Sequence, residues 1–414
     1  MTSFRGRPTT PDFSGMPTPK TSPLRPPDGT CVAILVSPGS IDHYPPVRNQ
    51  AQLFVDEGYV VDVVTMPAMR GPFELQTQLP GVRIVNLPRL HMPVVRTVWH
   101  TATFLAALGW MRWRHRKAQV VEIAYDPYGM AFSDLAPGRV AVRIAHFHES
   151  VLTDSRHWIF TRLKRSVPGF DLVVSPDAMR ARQIQDALGL QTTPTVVPNY
   201  PMPLAAPLPP RVATPGAPFE VIYAGSLGDD QKMDFICGSV VNWPEHTVFT
   251  IVGDLSSPRA EALRRKHPTP RLRFEPWLPF DRLIDRLRRA DLGISLLDGS
   301  QFQWASALGA SNKRYLYMQA GLPQIGDMNP GVPELLEGNG VGQSLKTYSP
   351  DELANIVAAY AADPARCERE GATAGHLCRT RFNYVDAMRP LFAWIRARLT
   401  TGVTVRAESV APLS

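Results

Sequence analysis

The feature that most constrains the fold is a regular alternation of short apolar runs with longer helix-like runs. In the first half, the apolar runs are residues 31–37, 59–66, 82–88, 119–125, 140–147, 171–176 and 193–199. Short runs that are apolar throughout are typical of strands buried on both faces of a parallel sheet. Strands that alternate with helices therefore predict an α/β domain with helices on both faces of the sheet.

The same alternation restarts at residue 219, after a proline-rich stretch. Proline cannot donate a hydrogen bond to a sheet and it breaks helices, so residues 201–218 are predicted to be an extended linker. The chain of 414 residues is also too long for a single hydrophobic core, which stops growing near roughly 250–300 residues. We therefore predict two doubly wound parallel-sheet domains, residues 30–200 and residues 219–380.

The two ends of the chain and the cysteines bear on the cellular location of the protein. Residues 1–29 are rich in Pro, Ser and Thr without an apolar core, which predicts a disordered tail and not a secretory signal. Residues 381–399 have a helical pattern, and residues 400–414 are predicted to be a second tail. The four cysteines lack the spacing of a zinc site or a disulfide framework, so we expect buried thiols in a cytoplasmic protein without a metal: Cys31, Cys237, Cys367 and Cys378.

The charge distribution narrows the choice of partner. The net charge is +7, but the arginines are dispersed and form no long basic tract. This pattern excludes a typical nucleic-acid binder and is compatible with an anionic ligand or an anionic membrane surface.

The best candidates for ligand contacts follow strands of the second half, because ligands of open parallel sheets bind at the carboxyl ends of the strands. In residues 224–232, Gly225 allows a close approach of the backbone, and Lys232 can reach an anion. In residues 309–327, Ser311 or Asn312 caps a helix, and Lys313 lies in its first turn. A lysine there opposes the helix dipole unless an anion lies nearby.

Two segments of the first half face the same predicted cleft. In residues 145–150, we expect His146 and His148 to point to opposite sides of the chain, so that one lies in the core while His148, followed by Glu149, reaches the cleft. The first loop, residues 38–49, offers polar candidates for contacts with an acceptor, although an ordinary surface loop explains it equally well: Gly39, Asp42, His43 and Arg48.

Together these motifs resemble glycosyltransferase family 4, whose members are retaining enzymes of the GT-B fold. The resemblance extends over residues 31–398 and is carried by four segments: RIAHFHES, VVPNYP, IYAGSLGDDQKMDFI and ASNKRYLYMQAGLPQIGDMNPGVPELLE. It implies two Rossmann-like domains that face each other across a cleft, with helix 381–399 returning to the first domain. It also implies metal-independent, hexosyltransferase-like transfer from a nucleotide sugar, with no cofactor.

The resemblance also assigns roles to individual residues. It implies catalytic roles for His148 and Lys232. The implied donor-binding residues are Gly225, Ser226, Lys232, Gly253, Leu278, Ser311, Asn312 and Lys313. The candidates for acceptor binding are those chosen from their positions in the first half: Gly39, Asp42, His43, Arg48 and Glu149.

The sequence departs from the family pattern at three positions. Ser226 stands where the family usually has arginine, and Leu308 and Leu316 stand where it usually has two glutamates. Three functions therefore remain open: an active transferase, a nucleotide-sugar epimerase, and a non-catalytic partner of another transferase. For a transferase, a UDP-sugar is the favoured donor with a GDP-sugar as the alternative, and the acceptor is a sugar, a glycolipid or a natural product, as in polysaccharide or glycoconjugate biosynthesis.

The long helical pattern at residues 94–118 has two interpretations. It combines apolar and aromatic side chains with basic ones: Trp99, Phe104, Leu105, Trp110, Trp113, Arg112, Arg114, Arg116 and Lys117. This composition suits peripheral contact with the inner face of a membrane. It also suits a helix that packs on the core and ends in cations that complement its dipole.

Overall fold

The computed structural model describes residues 31–38, 41, 45–65, 79–87, 93–150, 158–204, 206 and 216–401. The predicted tail 1–29, most of the tail 400–414 and most of the proline-rich linker lie outside the described residues.

The first domain is built on a seven-stranded parallel sheet. Its strands are β1 (Cys31–Ser37), β2 (Val60–Thr65), β3 (Val82–Asn86), β4 (Gln119–Tyr125), β5 (Val142–His146), β6 (Leu172–Ser175) and β7 (Thr195–Val196), in the spatial order β3-β2-β1-β4-β5-β6-β7. β1 is buried along its whole length because it pairs with β2 on one side and with β4 on the other. Its continuous apolar sequence follows from that central position.

Helices cover both faces of this sheet. They are α1 (Pro45–Asp56), α2 (Pro93–Arg114), α3 (Asp126–Leu135), α4 (Trp158–Ser166) and α5 (Ala178–Leu188). α5 has a clear start and end: the Asp177 side chain accepts hydrogen bonds from the backbone amides of Met179 and Arg180, and Gly189 ends the helix in the left-handed conformation.

The second domain repeats the plan with six parallel strands. They are β8 (Phe219–Ala224), β9 (Thr247–Gly253), β10 (Leu272–Pro276), β11 (Leu292–Ser295), β12 (Gln324–Gly326) and β13 (Gly342–Ser344), in the order β10-β9-β8-β11-β12-β13. Its helices are α6 (Met233–Ser239), α7 (Pro258–Lys266), α8 (Phe280–Leu287), α9 (Phe302–Ala305), α10 (Asn312–Gln319), α11 (Val332–Leu336), α12 (Pro350–Ala362) and α13 (Pro364–Thr380).

The last helix, α14 (Tyr384–Thr401), belongs to the core of the first domain. One face of α14 is buried in the same apolar cluster as β1 and α1, through Tyr384, Met388, Leu391, Phe392, Ile395 and Leu399. Near the C-terminal end of α14, Arg396 pairs with Glu57 and Arg398 pairs with Asp171. The predicted return of residues 381–399 to the first domain is confirmed.

Most predicted elements are present, with differences at their boundaries and four omissions. The helix predicted at residues 94–118 ends at Arg114, and the strand predicted at residues 140–147 is limited to Val142–His146. The sequence analysis did not identify α3, α4, α9 or β13. The four cysteines are buried and form no disulfide, as expected.

The carboxyl edges of the two sheets face each other, and hydrogen bonds connect the domains there. The Asp177 carboxylate accepts a hydrogen bond from the Gly309 amide at 3.0 Å, in addition to capping α5. The Asn199 backbone amide donates to the Gly309 carbonyl at 2.8 Å. A side-chain carbon at Gly309 would overlap the Pro176 carbonyl oxygen, so the close approach of the domains requires glycine at this position.

Candidate active site

The loop after β8 lies directly against the first turn of α10. Gly225 has φ 147°, and its amide donates to the Val252 carbonyl of the neighbouring strand at 3.0 Å. A side-chain carbon at Gly225 would overlap Cε of Lys313. The two segments that the sequence singled out for phosphate binding are therefore in contact at the carboxyl edge of the second sheet.

Lys313 occupies the space beneath this loop. Its Nζ donates a hydrogen bond to Oε1 of Gln231 at 2.7 Å and lies 5.4 Å from the ring centre of Tyr223. Burial lowers the pKa of Lys313 to about 8, although Asp230 partly opposes this shift. Within the described residues, no carboxylate forms a salt bridge with the amine, so its charge is compensated mainly by neutral dipoles.

Lys232 reaches a different part of the same edge. The residue itself has a left-handed backbone, with φ 51° and ψ 28°, and begins α6. Its Nζ lies 2.8 Å from the carboxylate of Asp298 and 4.8 Å from the ring centre of Tyr348. This ion pair lowers the pKa of Asp298 to about 2. Asp298 follows β11, so both side chains are at the predicted cleft, and Asp298 is a site residue that the sequence analysis missed.

The other predicted donor-binding residues surround this loop. Ser226 is exposed, and its carbonyl accepts a hydrogen bond from the Tyr223 hydroxyl. Gly253 ends β9, where a side-chain carbon would lie 2.7 Å from the Gly225 carbonyl oxygen. Leu278 packs on the apolar cluster below the loop, so only its backbone is free for the predicted contact with a base.

The N-terminus of α10 is open. The helix begins at Asn312, which is exposed, and Ser311 is its N-cap residue. The Ser311 side chain makes no capping hydrogen bond to the helix amides. Backbone amides at an uncapped helix start are a favourable place for an anion, which agrees with the prediction for both residues without testing it.

The two leucines that replace the family's glutamates are packed against apolar surfaces. Leu316 lies on the cluster formed by residues such as Ile222 and Val252. Leu308 packs against Gly331, where a side-chain carbon would overlap it. Neither position supplies a carboxylate to the cleft.

The two histidines of the first domain lie side by side, and the prediction that they face opposite sides was wrong. Their ring centres are 4.7 Å apart, and the His148 ring stacks on Tyr125 at 5.2 Å. Residues two apart along a strand share a face, which explains the arrangement. Burial lowers the pKa of His148 to about 3, with a further contribution from Arg180, so His148 is neutral near pH 7.

Asp126 fixes the turn that carries His148 and Glu149. Its backbone is left-handed, with φ 54°, which is uncommon for a residue other than glycine. Its carboxylate accepts hydrogen bonds from the backbone amides of His148 at 2.9 Å and Glu149 at 3.4 Å. Burial nevertheless raises the pKa of Asp126 to about 6. The sequence analysis missed this residue, although an aspartate directly after a buried strand was a signal for it.

Arg180 and Glu149 connect this turn to the second domain. The buried Arg180 guanidinium donates to the carbonyl of His148 and, at 2.7 Å, to the carbonyl of Gln303. The Gln303 side chain donates to the Glu149 carboxylate at 3.0 Å. Glu149, predicted to contact the acceptor, therefore lies where the two domains meet.

The remaining acceptor-binding predictions concern the first loop. Gly39, Asp42 and His43 lie outside the described residues. Arg48 lies in α1 and is partly buried. Two residues further along the helix, Gln50 is hydrogen-bonded to His146 at 2.9 Å, so α1 extends to the histidine pair.

Two general properties of the described residues bear on other kinds of site. No group of three or more His, Cys, Asp or Glu side chains among them is arranged to hold a metal ion. No helix among them combines the length and apolar character needed to cross a bilayer.

Solved structures with the same architecture support the assignment of the fold. Sucrose-phosphate synthase from Thermosynechococcus elongatus is 14% identical, with a TM-score of 0.66 over 90% of this chain and 99% of that protein. HepE from Anabaena in complex with UDP-glucose is 14% identical, with a TM-score of 0.64 over 89% of this chain and 99% of that protein. WaaG, a glycosyltransferase involved in lipopolysaccharide biosynthesis, is 15% identical, with a TM-score of 0.56 over 90% of this chain and 100% of that protein.

Comparisons of sequence alone add no closer assignment. No protein-family model and no curated protein matches this chain. The strand orders of the two sheets, the returning α14 and the structural neighbours nevertheless agree with one another. The chain has the GT-B fold, with two Rossmann-like domains facing across a cleft.

Proposed function

We propose that this protein is a glycosyltransferase that moves a sugar from a nucleotide-sugar donor to an acceptor with retention of the anomeric configuration. The observation that carries the proposal is the convergence of Gly225, Lys232 and Lys313 at the carboxyl edge of the second sheet. Two lysines beside a glycine turn and an open helix N-terminus form a site suited to a diphosphate.

The proposed chemistry depends mainly on electrostatics. As the bond between the sugar C1 and the β-phosphate oxygen breaks, negative charge grows on the phosphate and positive charge grows on the sugar ring. Lys232, Lys313 and the first amides of α10 would stabilise the phosphate. His148 is neutral and would act as a hydrogen-bonding group that orients the sugar, because its low pKa disfavours a cation there.

Lys232 would have to change partners when the donor binds. In the structure its amine is paired with Asp298 at 2.8 Å. Asp298 is partly exposed, so this ion pair costs little to break. A diphosphate carries more charge than one carboxylate and would compete effectively for the lysine.

The donor and the acceptor are proposed by analogy with the neighbours. HepE was solved in complex with UDP and with UDP-glucose, which favours a UDP-sugar here over a GDP-sugar. WaaG acts in lipopolysaccharide biosynthesis, which favours a glycolipid acceptor over a free sugar or a natural product. The proposal includes a location at the inner face of a membrane, through residues 94–118.

A non-catalytic partner protein is the second candidate, and the apolar packing of Leu308 and Leu316 is the observation that favours it. Loss of both family glutamates would remove the usual carboxylates around the ribose and the sugar. Asp298 and Asp126 place carboxylates at the carboxyl edges of the two sheets, which is our reason for preferring an active enzyme.

Calorimetry with UDP and GDP, followed by assays of donor hydrolysis with UDP-, GDP- and ADP-sugars, tests the proposal. We expect micromolar to millimolar binding of one nucleotide and slow hydrolysis of the matching sugar. Lys232→Ala and Lys313→Ala should each weaken binding by about tenfold or more, since a charge-assisted hydrogen bond is worth about 1.5–3 kcal/mol. Lys266→Ala is the control, because Lys266 is an exposed lysine of the same domain paired with Asp234.

The outcomes separate the candidates. Binding with hydrolysis or transfer supports the enzyme. Binding without turnover of any donor supports the non-catalytic partner. Absence of affinity for every nucleoside diphosphate would rule out the enzyme.

A further inference from the structure

Helix α2 has two different faces. One face packs on the first sheet through the buried residues Phe104, Leu108 and Met111. The opposite face, here called the tryptophan face, consists of Trp99, Ala102, Ala106, Trp110 and Trp113, all exposed. At about 100° per residue, these five positions fall within an arc of roughly 80°. The aromatic residues of this helix are thus divided: Phe104 belongs to the core, and the tryptophans do not.

The exposure of the tryptophans is unusual. Trp99 is 41% exposed, Trp110 is 46% exposed and Trp113 is 62% exposed. Tryptophan is normally largely buried, and an exposed cluster of large apolar side chains marks a surface that contacts a protein or a membrane. Each interpretation of this helix therefore has a face that suits it: the residues facing the sheet fit a helix packed on the core, and the exposed tryptophans fit a contact surface.

Arginines are already positioned around the tryptophan face. The guanidinium groups of Arg83 and Arg114 each lie 5.4 Å from the ring centre of Trp110. Arg116 lies 4.7 Å from the ring centre of Trp113. Cation–π contacts hold these groups at the edge of the apolar surface, where they can meet phosphates.

The surrounding sequence carries no negative charge. Residues 75–121 contain no Asp or Glu, and they contain seven basic residues: Arg83, Arg89, Arg96, Arg112, Arg114, Arg116 and Lys117. Of these, Arg112 is used internally, in a buried ion pair with Glu122 at 2.6 Å. Arg83 is also paired, through its Nε, with the carboxylate of the buried Asp62 at 2.8 Å. The exposed cations beside the tryptophan face are therefore Arg114, Arg116 and Lys117.

We propose that the tryptophan face docks on the surface of an anionic phospholipid bilayer. Tryptophan favours the interface between headgroups and acyl chains, and basic residues beside it bind lipid phosphates. A protein partner is disfavoured, because a protein interface depletes unpaired charge at its centre, and the exposed charges at the end of this face, Arg114, Arg116 and Lys117, are all positive. With 22 residues, α2 provides a contact about 33 Å long.

The orientation of α2 connects this contact to the cleft. In the parallel sheet, β3 runs into the start of α2 and β4 leaves from its end, so the Trp99 end of the helix lies at the carboxyl edge of the sheet, where His148 lies. A bilayer lying along the tryptophan face would therefore pass close to the mouth of the cleft. On the proposed transferase activity, this arrangement delivers a lipid-linked acceptor.

Vesicle co-sedimentation tests the docking without reference to activity. We expect the full-length protein to sediment with vesicles of phosphatidylcholine and phosphatidylglycerol, and to remain in solution with phosphatidylcholine alone. High salt should release it, because the Debye length shortens. Tryptophan fluorescence should shift to the blue on binding and should be quenched by lipids brominated in the upper part of the acyl chain.

Matched variants assign the effect to this surface. Arg114→Ala with Arg116→Ala should weaken binding by about thirtyfold, since each basic residue near an anionic surface contributes about 1 kcal/mol. Trp110→Ser with Trp113→Ser should abolish the blue shift and the quenching by brominated lipid. Trp158→Ser is the control, because Trp158 is 53% exposed and lies in α4. Circular dichroism and thermal unfolding should confirm that each variant is folded.

Two results would overturn the proposal. One is equal binding of the wild type and the Trp110/Trp113 variant to anionic vesicles. The other is concentration-dependent dimerisation that the same substitutions abolish, with no vesicle binding, since the face would then join two copies of this chain. Vesicle binding together with a complete lack of nucleotide affinity would refute the proposed function and leave this docking intact.

Discussion

Lys313 is a charged residue in a buried site. Its loss of a proton should make the binding of an anion depend measurably on pH. An anion is bound best by the protonated amine, and the pKa of the Lys313 amine without a bound anion is about 8. UDP itself is fully ionised above pH 7, because the second phosphate pKa is about 6. We therefore expect UDP affinity to be constant near pH 7 and to fall above pH 8, by at most about tenfold per pH unit.

Calorimetry at pH 7, 8 and 9 provides the measurement. Lys313→Met should bind UDP more weakly at pH 7 and should show no fall in affinity between pH 8 and 9. A wild-type profile that is flat over this range, or a variant that keeps the wild-type slope, would show that the phosphate does not interact with Lys313.

The histidine pair and Asp126 make opposite contributions to stability in acid. Burial holds the pKa of His148 at about 3 and the pKa of His146 well below its usual value. The unfolded chain therefore binds more protons below pH 6.5, so stability falls as the pH decreases. The pKa of Asp126 is raised to about 6, so the folded state binds more protons between about pH 6 and 4, and stability rises there as the pH decreases.

Asp126→Asn should remove the contribution of the Asp126 carboxyl, which opposes the loss of stability that the two histidines cause in acid. An amide can still accept the backbone hydrogen bonds of the turn, so we expect a folded protein that is as stable as the wild type or more stable at pH 7. Between pH 6 and 4 its free energy of unfolding should fall more steeply, by up to about 1.4 kcal/mol per pH unit. Urea denaturation at pH 7, 6 and 5 measures this, with Asp186→Asn as the exposed control. Parallel curves for the wild type and Asp126→Asn would contradict the argument.

At the residue scale, the sequence indicated Gly225, Lys232 and Lys313 as candidates for ligand contacts but did not indicate their partners. Gly225 and Lys232 follow a strand in a recognisable order. Asp298 is 66 residues away from Lys232 along the chain. Nothing in the local sequence distinguishes Gln231 from any other polar residue near the start of a helix. Their roles depend on which strands become neighbours, and a single sequence does not encode that locally.

At the scale of elements, α14 should contribute to the stability of the first domain, although α14 lies far from the rest of that domain in the sequence. Ile395 is fully buried among side chains of the first domain. We expect Ile395→Ala to lower the free energy of unfolding by about 2–5 kcal/mol, the usual cost of truncating a buried isoleucine. Arg389→Ala, on the exposed side of the same helix, should change it by less than about 0.5 kcal/mol.

Guanidinium denaturation, monitored by signals from both domains, tests whether the first domain is complete without α14. If the first domain were complete without α14, Ile395→Ala would have the small effect of Arg389→Ala. A selective loss of the first domain's transition would confirm that α14 is part of its core.

The elements that the sequence did not reveal are those shaped by their surroundings. α3 starts at Asp126 in a left-handed conformation followed by proline, and contains Gly129, so its local pattern is weak. β13 has only three residues, and a side-chain carbon at Gly342 would overlap the carbonyl of Gln324 in the paired strand. Long periodic runs such as α2 and α14 were identifiable, because amphipathic spacing persists over several turns.

At the scale of the whole molecule, Gly309 should control how closely the domains approach. Any side chain there would collide with Pro176 of the first domain, and it would break the hydrogen bond from the Gly309 amide to Asp177. We expect Gly309→Ala to open the cleft and to lower the transfer rate by roughly a hundredfold, because small misplacements of the reacting groups are costly.

Small-angle scattering and a transfer assay check this expectation together. The radius of gyration of Gly309→Ala should exceed that of the wild type, while each domain stays folded. Gly169→Ala is the control, because no other atom lies within 4 Å of the position that its new carbon would occupy. An unchanged radius of gyration with unchanged activity would show that the contact does not set the domain spacing.

The two-domain plan and the cleft could be predicted from the sequence, but the contacts that join the domains could not. Asp177 and Gly309 are 132 residues apart, and neither is unusual in its own segment. Asp177 is recognisable as a helix cap, yet its second hydrogen bond depends on the packing of two separate sheets. Relations of this kind arise only when the complete fold is assembled.

The position of α14 also sets the order in which the molecule can be completed during synthesis. The seven strands of the first sheet have been translated by residue 196, but the helix that covers part of that sheet begins at residue 384. At about 5–20 residues per second, the ribosome needs roughly 10–40 s to supply it. During that time the nascent first domain has an uncovered apolar surface, so it should depend on chaperones until the end of translation.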